Sequence, residues 1–174
     1  MLDFNLYGYK DFSFHFLNSI TCNAVKSRRR RQHENIHQNH EDLCQRLFNA
    51  IEQDSYIQPH RHSLDPKVET LIAVRGLFAL VIFDNQGNIL NVVKFGSEKF
   101  SLSDTLGVGV EVAPNVWHTV IALVGGSVLF EFKEGPFKIG AAKETASWAP
   151  SEESSEALQY LNQIRQCVIQ LSSK

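Results

Sequence analysis

The 174-residue sequence is poor in cysteine and contains no long apolar run. Its three cysteines, Cys22, Cys44 and Cys167, are odd in number, far apart and without metal-ligand spacing, which indicates free thiols in a reducing compartment. Because no run of about 18 apolar residues is present, we expect no transmembrane helix. The N-terminus carries Asp3 and aromatic residues in place of a basic region followed by an apolar one. We therefore expect no secretory signal, and a cytoplasmic location is the default prediction.

A strong excess of one charge is also missing, since the formal net charge is -2 and the isoelectric point is about 6.4. Such a chain has no global nucleic-acid signature, and we expect neither a nucleic acid nor a membrane as its partner. Hydrophobic residues make up 43% of the sequence, which is enough for the core of one domain at this length. Twelve phenylalanines and ten glycines are typical of a β-rich chain with turns.

Strand signals recur along the second half of the chain, and turns separate them instead of helices. Residues 84–88 are predicted to form a turn, and Gly125 with Gly126 a tight hairpin turn. The predicted strands span residues 77–83, 89–95, 107–112, 117–124 and 127–133. This regular succession predicts a closed antiparallel sandwich.

Both ends of the chain carry elements outside this series. Phe12, Phe14 and Phe16 recur with a period of two, which predicts a short strand added to the barrel or to a partner. From Ser151 the chain is predicted to be a helix, with Ser151 as N-cap and two acidic residues in the first turn. Its apolar face packs on the barrel or on a second subunit, so a homodimer is an open prediction. That face consists of Leu158, Leu161, Ile164, Val168 and Leu171.

Three histidines and one glutamate are candidate metal ligands. His60 and His62 lie two residues apart, so on a strand both imidazoles point to the same face. A polar turn separates them from Glu69, and the segment is predicted to form a hairpin that gathers the three side chains. His118 near the start of a later apolar run is the fourth group. Three imidazoles and one carboxylate suit Fe, Zn, Mn, Ni or Cu.

The polar stretch 27–40 contains two further motifs. Residues 33–37 spell H-E-x-x-H, the zinc-peptidase signature. That motif needs a helix with an apolar face, and Ile36 is the one apolar residue here, so we do not predict a peptidase. The arginine run 28–31 either binds a phosphate or a sugar nucleotide or forms a solvated basic loop.

Around the candidate ligands the sequence resembles the cupins. The first cupin motif, G-x5-H-x-H followed by E-x6-G, is matched from His60 to Gly76, with Asp54 in place of its first glycine. The second motif, G-x5-P-x-G-x2-H, aligns at Gly107, Ala113, Asn115 and His118. Asn115 replaces a glycine there, and asparagine tolerates left-handed backbone. The words QRLFNAIE, YIQPHRH, VWHT and LFEFKEGPF are similar to the WbuC-type cupin fold metalloproteins.

The resemblance implies a mostly β fold, a single cupin (double-stranded β-helix, jelly-roll) barrel with an N-terminal extension and a C-terminal α-helix. It divides the chain into an extension with a basic, histidine-rich loop (1–42), the barrel (43–134), and a tail with the helix (135–174). It favours a strand within residues 43–56, where helical and strand periodicities are both present. It also implies one divalent transition metal, Fe, Zn, Mn or Ni, held by His60, His62, Glu69 and His118.

WbuC-type proteins are associated with bacterial surface-polysaccharide gene clusters, which implies a small polar ligand such as a sugar or nucleotide sugar of O-antigen biosynthesis. The metal would then be the Lewis acid of an isomerase- or epimerase-like reaction. An Fe(II)-dependent dioxygenase or oxidase, and a noncatalytic metal- or sugar-binding module, are the alternatives, and no catalytic residue is assigned. Arg61, between two inward ligands, is predicted to point outward. The candidate substrate-binding residues are Asn35, His37, Asn49, Glu131 and Lys133.

Overall fold

A computed structural model describes residues 4–100 and 106–171, which form two five-stranded antiparallel sheets and two α-helices. In spatial order the first sheet consists of β1 (Arg31–Asn35), β2 (Cys44–Ile51), β9 (Ser127–Glu134), β4 (Glu69–Arg75) and β7 (Gly109–Val112). The second sheet consists of β10 (Glu144–Thr145), β3 (His60–Arg61), β8 (Trp117–Ala122), β5 (Leu77–Phe83) and β6 (Ile89–Gly96). The jelly-roll barrel expected from the sequence is confirmed. The serine- and lysine-rich sequence 96–105 predicts a loop. This segment includes a short 3-10 helix, Glu98–Phe100, and residues 101–105 lie outside the described ranges.

The chain repeatedly crosses from one sheet to the other. β4 and β5 are separated by Gly76 alone, yet they belong to different sheets. The predicted hairpins between β3 and β4 and between β8 and β9 are therefore wrong, since each of these connections also joins the two sheets. Of the predicted turns, the one at 84–88 closes a hairpin between paired neighbours, β5 and β6. A period-two pattern identifies a strand but does not identify the strand with which it pairs.

The core lies between the sheets, and the helices cover their outer faces. In β2 the side chains of Leu47, Asn49 and Ile51 point inward, whereas Phe48 and Ala50 pack outward against the first helix. This confirms the strand predicted within residues 43–56. The apolar cluster between the sheets includes Ile51, Leu71, Phe78, Leu80, Phe95, Val120 and Leu129.

The N-terminal segment forms α1 (Phe14–Lys26), so the strand predicted from Phe12, Phe14 and Phe16 is wrong. The Ser13 side chain caps the helix by accepting a hydrogen bond from the Phe16 N–H at 3.2 Å. The buried residues of α1 recur at three and four positions and pack on the first sheet, and this helical spacing prevails over the aromatic alternation. They are Leu17, Ile20 and Ala24.

The C-terminal helix is confirmed as α2 (Ala157–Leu171), but it begins six residues after Ser151. Glu152 and Glu153 are therefore not in its first turn, and they pair instead with Arg31 and Arg28. The buried side of α2 packs on the outer face of the second sheet, through Ala157, Leu161, Ile164 and Val168. Contact with the barrel thus accounts for Leu161, Ile164 and Val168 of the predicted face, whereas Leu158 and Leu171 are exposed. The homodimer stays a prediction.

The polar stretch expected to be a loop contains β1, which pairs with β2 from Arg31 opposite Ile51 to Asn35 opposite Leu47. The first sheet thus extends beyond the expected barrel boundary at residue 43. All three cysteines are free. Within residues 4–100 and 106–171, neither helix has the length and apolar character needed to cross a membrane.

Candidate metal centre

Four side chains from both sheets meet at one end of the barrel. Glu69 begins β4 in the first sheet, whereas His60 on β3 faces His118 on β8 in the second. His62 follows directly after β3. One ligand atom from each of the four residues lies within 4.8 Å of the others, and all four side chains are buried. The grouping predicted from the sequence is therefore present, although it joins two sheets instead of one hairpin.

The three imidazole rings share one hydrogen-bonding pattern. Each Nδ1 lies against a backbone carbonyl, at 3.0 Å for His60, 2.6 Å for His62 and 2.9 Å for His118. A carbonyl oxygen only accepts, so Nδ1 carries the proton and the Nε2 lone pair is available to a metal. These carbonyls belong to Gln58, Ala142 and Val116, respectively.

The Nε2 atoms of His62 and His118 face the Glu69 carboxylate, and with the proton on Nδ1 neither of them can donate a hydrogen bond to it. The Nε2 of His118 lies 3.2 Å from Glu69 Oε2, and that of His62 lies 3.4 Å from Glu69 Oε1. The His62 Nε2 is buried and has no hydrogen-bond partner among residues 4–100 and 106–171. Lone pairs facing one another in a buried site fit a cation between them, and the nitrogen and oxygen donors suit a divalent transition metal.

The charges around the site maintain the protonation states that metal ligands need. Burial and the neighbouring His118 lower the pKa of His60 well below its usual value, which keeps the ring neutral. Burial alone would raise the pKa of Glu69, but the Lys133 ammonium, 2.6 Å from Oε1, holds this pKa well below the usual range. Glu69 is therefore a carboxylate beside the neutral ring of His60.

The site lies in a cavity of about 320 Å³, at the small end of ligand-binding pockets. Asn49, Glu131 and Lys133 provide polar groups on its wall. The Asn49 Oδ1 is buried, and no described residue gives it a hydrogen bond. Burial and the nearby Glu69 carboxylate raise the pKa of Glu131 to about 8. The apolar wall includes Leu47, Ile51, Ile57, Leu71, Val120 and Leu129.

The remaining candidates lie elsewhere. Asn35, at the exposed end of β1, and His37 do not line the cavity, contrary to the prediction that they bind substrate there. The buried His37 ring is held by the Arg46 backbone, whose N–H donates to Nδ1 at 3.0 Å. Arg61 points outward as predicted, stacking 4.4 Å from the Trp117 ring and pairing with Glu144.

The H-E-x-x-H motif forms no metal site. His33 lies on strand β1 and His37 beyond its end, so the two rings lack the helical spacing that the motif needs. Backbone conformation supports the cupin alignment instead. Asn115 has φ +67°, as its replacement of a glycine implied, and Gly76 has φ +87°.

Sequence reasoning identified only part of the mouth of the cavity, because it named the arginine run as a possible phosphate site but did not name Lys143. Arg29, His33 and Lys143 line it there together with Arg31. Lys143 precedes β10, which pairs with β3, and this long-range pairing brings it to the mouth. No local pattern around Lys143 could have indicated its position. The run of four arginines, in contrast, indicated that its own segment could bind a phosphate.

Comparisons with known proteins agree with the fold. The family described as "Domain of unknown function (DUF6016)" matches residues 12–95, slightly less than half of the chain. No curated protein matches the sequence. The crystal structure of protein SO0799 from Shewanella oneidensis is similar, with a TM-score of 0.52 and 12% identity over 79% of this chain and 83% of that one. This similarity concerns the fold alone.

Two further solved structures are more distant. KdgF from Halomonas sp. has a TM-score of 0.43 and 13% identity over 62% of this chain and 80% of that chain. A mutant of Bacillus subtilis oxalate decarboxylase OxdC has a TM-score of 0.44 and 13% identity over 59% of this chain and 24% of that chain. Both similarities are too weak to bear on what this chain does.

Proposed function

We propose that this protein is a metal-dependent enzyme that isomerises or epimerises a small polar molecule, a sugar or nucleotide sugar of bacterial surface-polysaccharide synthesis. The observation that carries the proposal is the group of His60, His62, Glu69 and His118 at one end of a ligand-sized cavity with polar groups on its wall. A divalent metal bound there would supply a Lewis acid that polarises an oxygen of the ligand.

The polar wall of the cavity orients the ligand. The Asn49 amide presents an unpaired oxygen to a ligand hydroxyl, because no group of the described residues satisfies this atom. Lys133 holds the Glu69 carboxylate and lies 3.5 Å from Glu131. Glu131 is the carboxyl group on this wall that the metal-ligand set leaves over, so it is the candidate to move a proton to and from the ligand.

Solvent exchange tests the reaction class. Protein loaded with Zn²⁺ or Mn²⁺ is incubated in D2O with UDP-, GDP- and dTDP-hexoses, and proton NMR follows the sugar signals. We expect deuterium to enter the sugar with at least one of them, and His118→Ala to abolish the exchange. Turnover that requires Fe²⁺ and consumes dioxygen would replace the proposal by an oxygenase. Metal-dependent binding without exchange would replace it by a noncatalytic module.

A further inference from the structure

The four arginines of residues 28–31 are not equivalent. Arg28 pairs with Glu153 at 2.6 Å, and Arg30 pairs with Asp54 at 2.9 Å. The buried Arg31 pairs with Glu152 and also donates to the Tyr56 carbonyl at 2.8 Å. These three side chains therefore serve contacts within the protein.

Arg29 differs from its three neighbours. Among the described residues it has no carboxylate partner, and its exposed side chain lines the cavity that contains the candidate metal centre. A guanidinium group in this position still has its full set of donors available to a ligand.

Lys143 adds a second cation at the same mouth. Its Nζ lies 3.9 Å from Glu152, but that carboxylate already serves Arg31. Burial lowers the pKa of Lys143. The nearby Glu152 raises this pKa, whereas Arg31 and Arg29 lower it further. Arg29, Arg31 and Lys143 all line the cavity here, and among the described residues Glu152 is the one carboxylate that pairs with any of them. The mouth therefore has an excess of positive charge.

We propose that Arg29 and Lys143 form an anion subsite that binds a phosphate group of the substrate at the mouth of the cavity. Guanidinium groups match phosphate oxygens with paired hydrogen bonds, and lysine adds a mobile point charge. The proposal deepens the proposed function and rests on it for the role of the cavity as the substrate site.

Asn49 independently indicates what else the cavity binds. The residue is only 5% exposed, and its Oδ1 lacks a partner within the described part of the chain although it lines the cavity inside the charged mouth. A buried amide oxygen of this kind needs a donor, which a ligand hydroxyl would provide. The matching ligand carries phosphate at one end and hydroxyl groups at the other, as a sugar phosphate or the phosphorylated part of a nucleotide sugar does.

Calorimetric titration with inorganic phosphate and with glucose 1-phosphate tests the subsite. Arg29→Ala and Lys143→Ala should each weaken the binding of both probes about tenfold, which is the loss of one charge-assisted hydrogen bond. Arg28→Ala is the matched control, since it removes a neighbouring charge outside the cavity, and it should leave both affinities unchanged. Asn49→Ala should weaken glucose 1-phosphate and spare inorganic phosphate.

The proposal would be overturned by unchanged phosphate affinity in Arg29→Ala. It would also be overturned by an equal loss of affinity in Arg28→Ala. A third contradicting result is loss of phosphate binding in His118→Ala, because phosphate would then bind at the metal and not at the mouth. Absence of sugar exchange in D2O would contradict only the proposed reaction, since phosphate binding at the mouth does not require turnover.

Discussion

Lys133 is the residue on which the electrostatics of the candidate metal centre depend. Strand pairing places it directly opposite Glu69, and its ammonium group lies 2.6 Å from the carboxylate. In metal-free protein this cation compensates a negative charge that is almost entirely buried. A metal at the same carboxylate would add a second source of positive charge.

Removing this cation should therefore destabilise the metal-free protein more than the metal-loaded one. We predict that Lys133→Met lowers the free energy of unfolding by about 3 kcal/mol without metal, because it leaves a buried charge unpaired. Adding Zn²⁺ should recover most of the loss. Urea unfolding with and without Zn²⁺ measures both values.

Lys138→Met is the control for this experiment. Lys138 pairs with Asp65 at 3.3 Å but is 61% exposed, so its loss should change the free energy of unfolding by less than about 1 kcal/mol. Equal effects of the two substitutions, or a Lys133→Met defect that Zn²⁺ does not reduce, would contradict the role given to Lys133.

At the scale of single residues, the sequence predicted the ligand set and pointed to the arginine run, but it did not indicate Lys143 at the mouth of the cavity. His60, His62 and Glu69 could be predicted because they lie close together in the sequence with the spacing of a motif. Lys143 reaches the mouth only through the pairing of β10 with β3, a contact between segments 83 residues apart that leaves no local signal.

At the scale of elements, the corners between the sheets position the site. Gly76 turns the chain from β4 into β5 with φ +87°, and a Cβ there would lie 2.1 Å from the Ser127 Oγ. Glu69 and the inner face of β5 therefore keep their relative positions only if this corner is intact. Ser127 begins β9, so the corner also contacts the strand that carries Glu131 and Lys133.

We predict that Gly76→Ala lowers the free energy of unfolding by about 3 kcal/mol, since it combines a left-handed backbone with a steric clash. Gly140→Ala provides the comparison, because no atom lies near its added Cβ and its φ is not in the left-handed region. Thermal unfolding of the two variants should differ clearly, and equal melting temperatures would mean that the corner tolerates a side chain.

Elements were predicted better than their connections. Most of the strands and the C-terminal helix could be predicted from the periodicity of apolar residues, because burying one face of an element requires apolar residues at a regular spacing. The alternating aromatic residues at 12, 14 and 16 led to the wrong prediction of a strand. The segment is a helix because Leu17, Ile20 and Ala24 form a helical face against the first sheet. The sheet crossings were missed because a turn sequence looks alike in a hairpin and at a barrel corner.

At the scale of the whole molecule, the candidate metal centre joins the two sheets. Glu69 belongs to the first sheet, whereas His60 and His118 belong to the second. A metal bound by all of them would link the sheets within one core, so binding to the native state should stabilise the whole barrel.

Chelation tests this coupling between binding and stability. We predict that EDTA lowers the melting temperature of metal-loaded protein by about 10 °C, the effect of losing a ligand present at roughly a thousand times its dissociation constant. Excess Zn²⁺ should restore the original value. His118→Ala should respond to neither reagent, and a response equal to that of the wild type would mean that the metal stabilises the protein from another site.

The most direct test of the central claim is the transition-metal content of purified protein, determined by elemental analysis after reconstitution and desalting. We predict about one metal ion per chain in the wild type and in His33→Ala, and a sharp loss in His60→Ala and His118→Ala. Equal metal content in all four proteins, or a loss confined to His33→Ala, would contradict the assignment of the metal centre to His60, His62, Glu69 and His118.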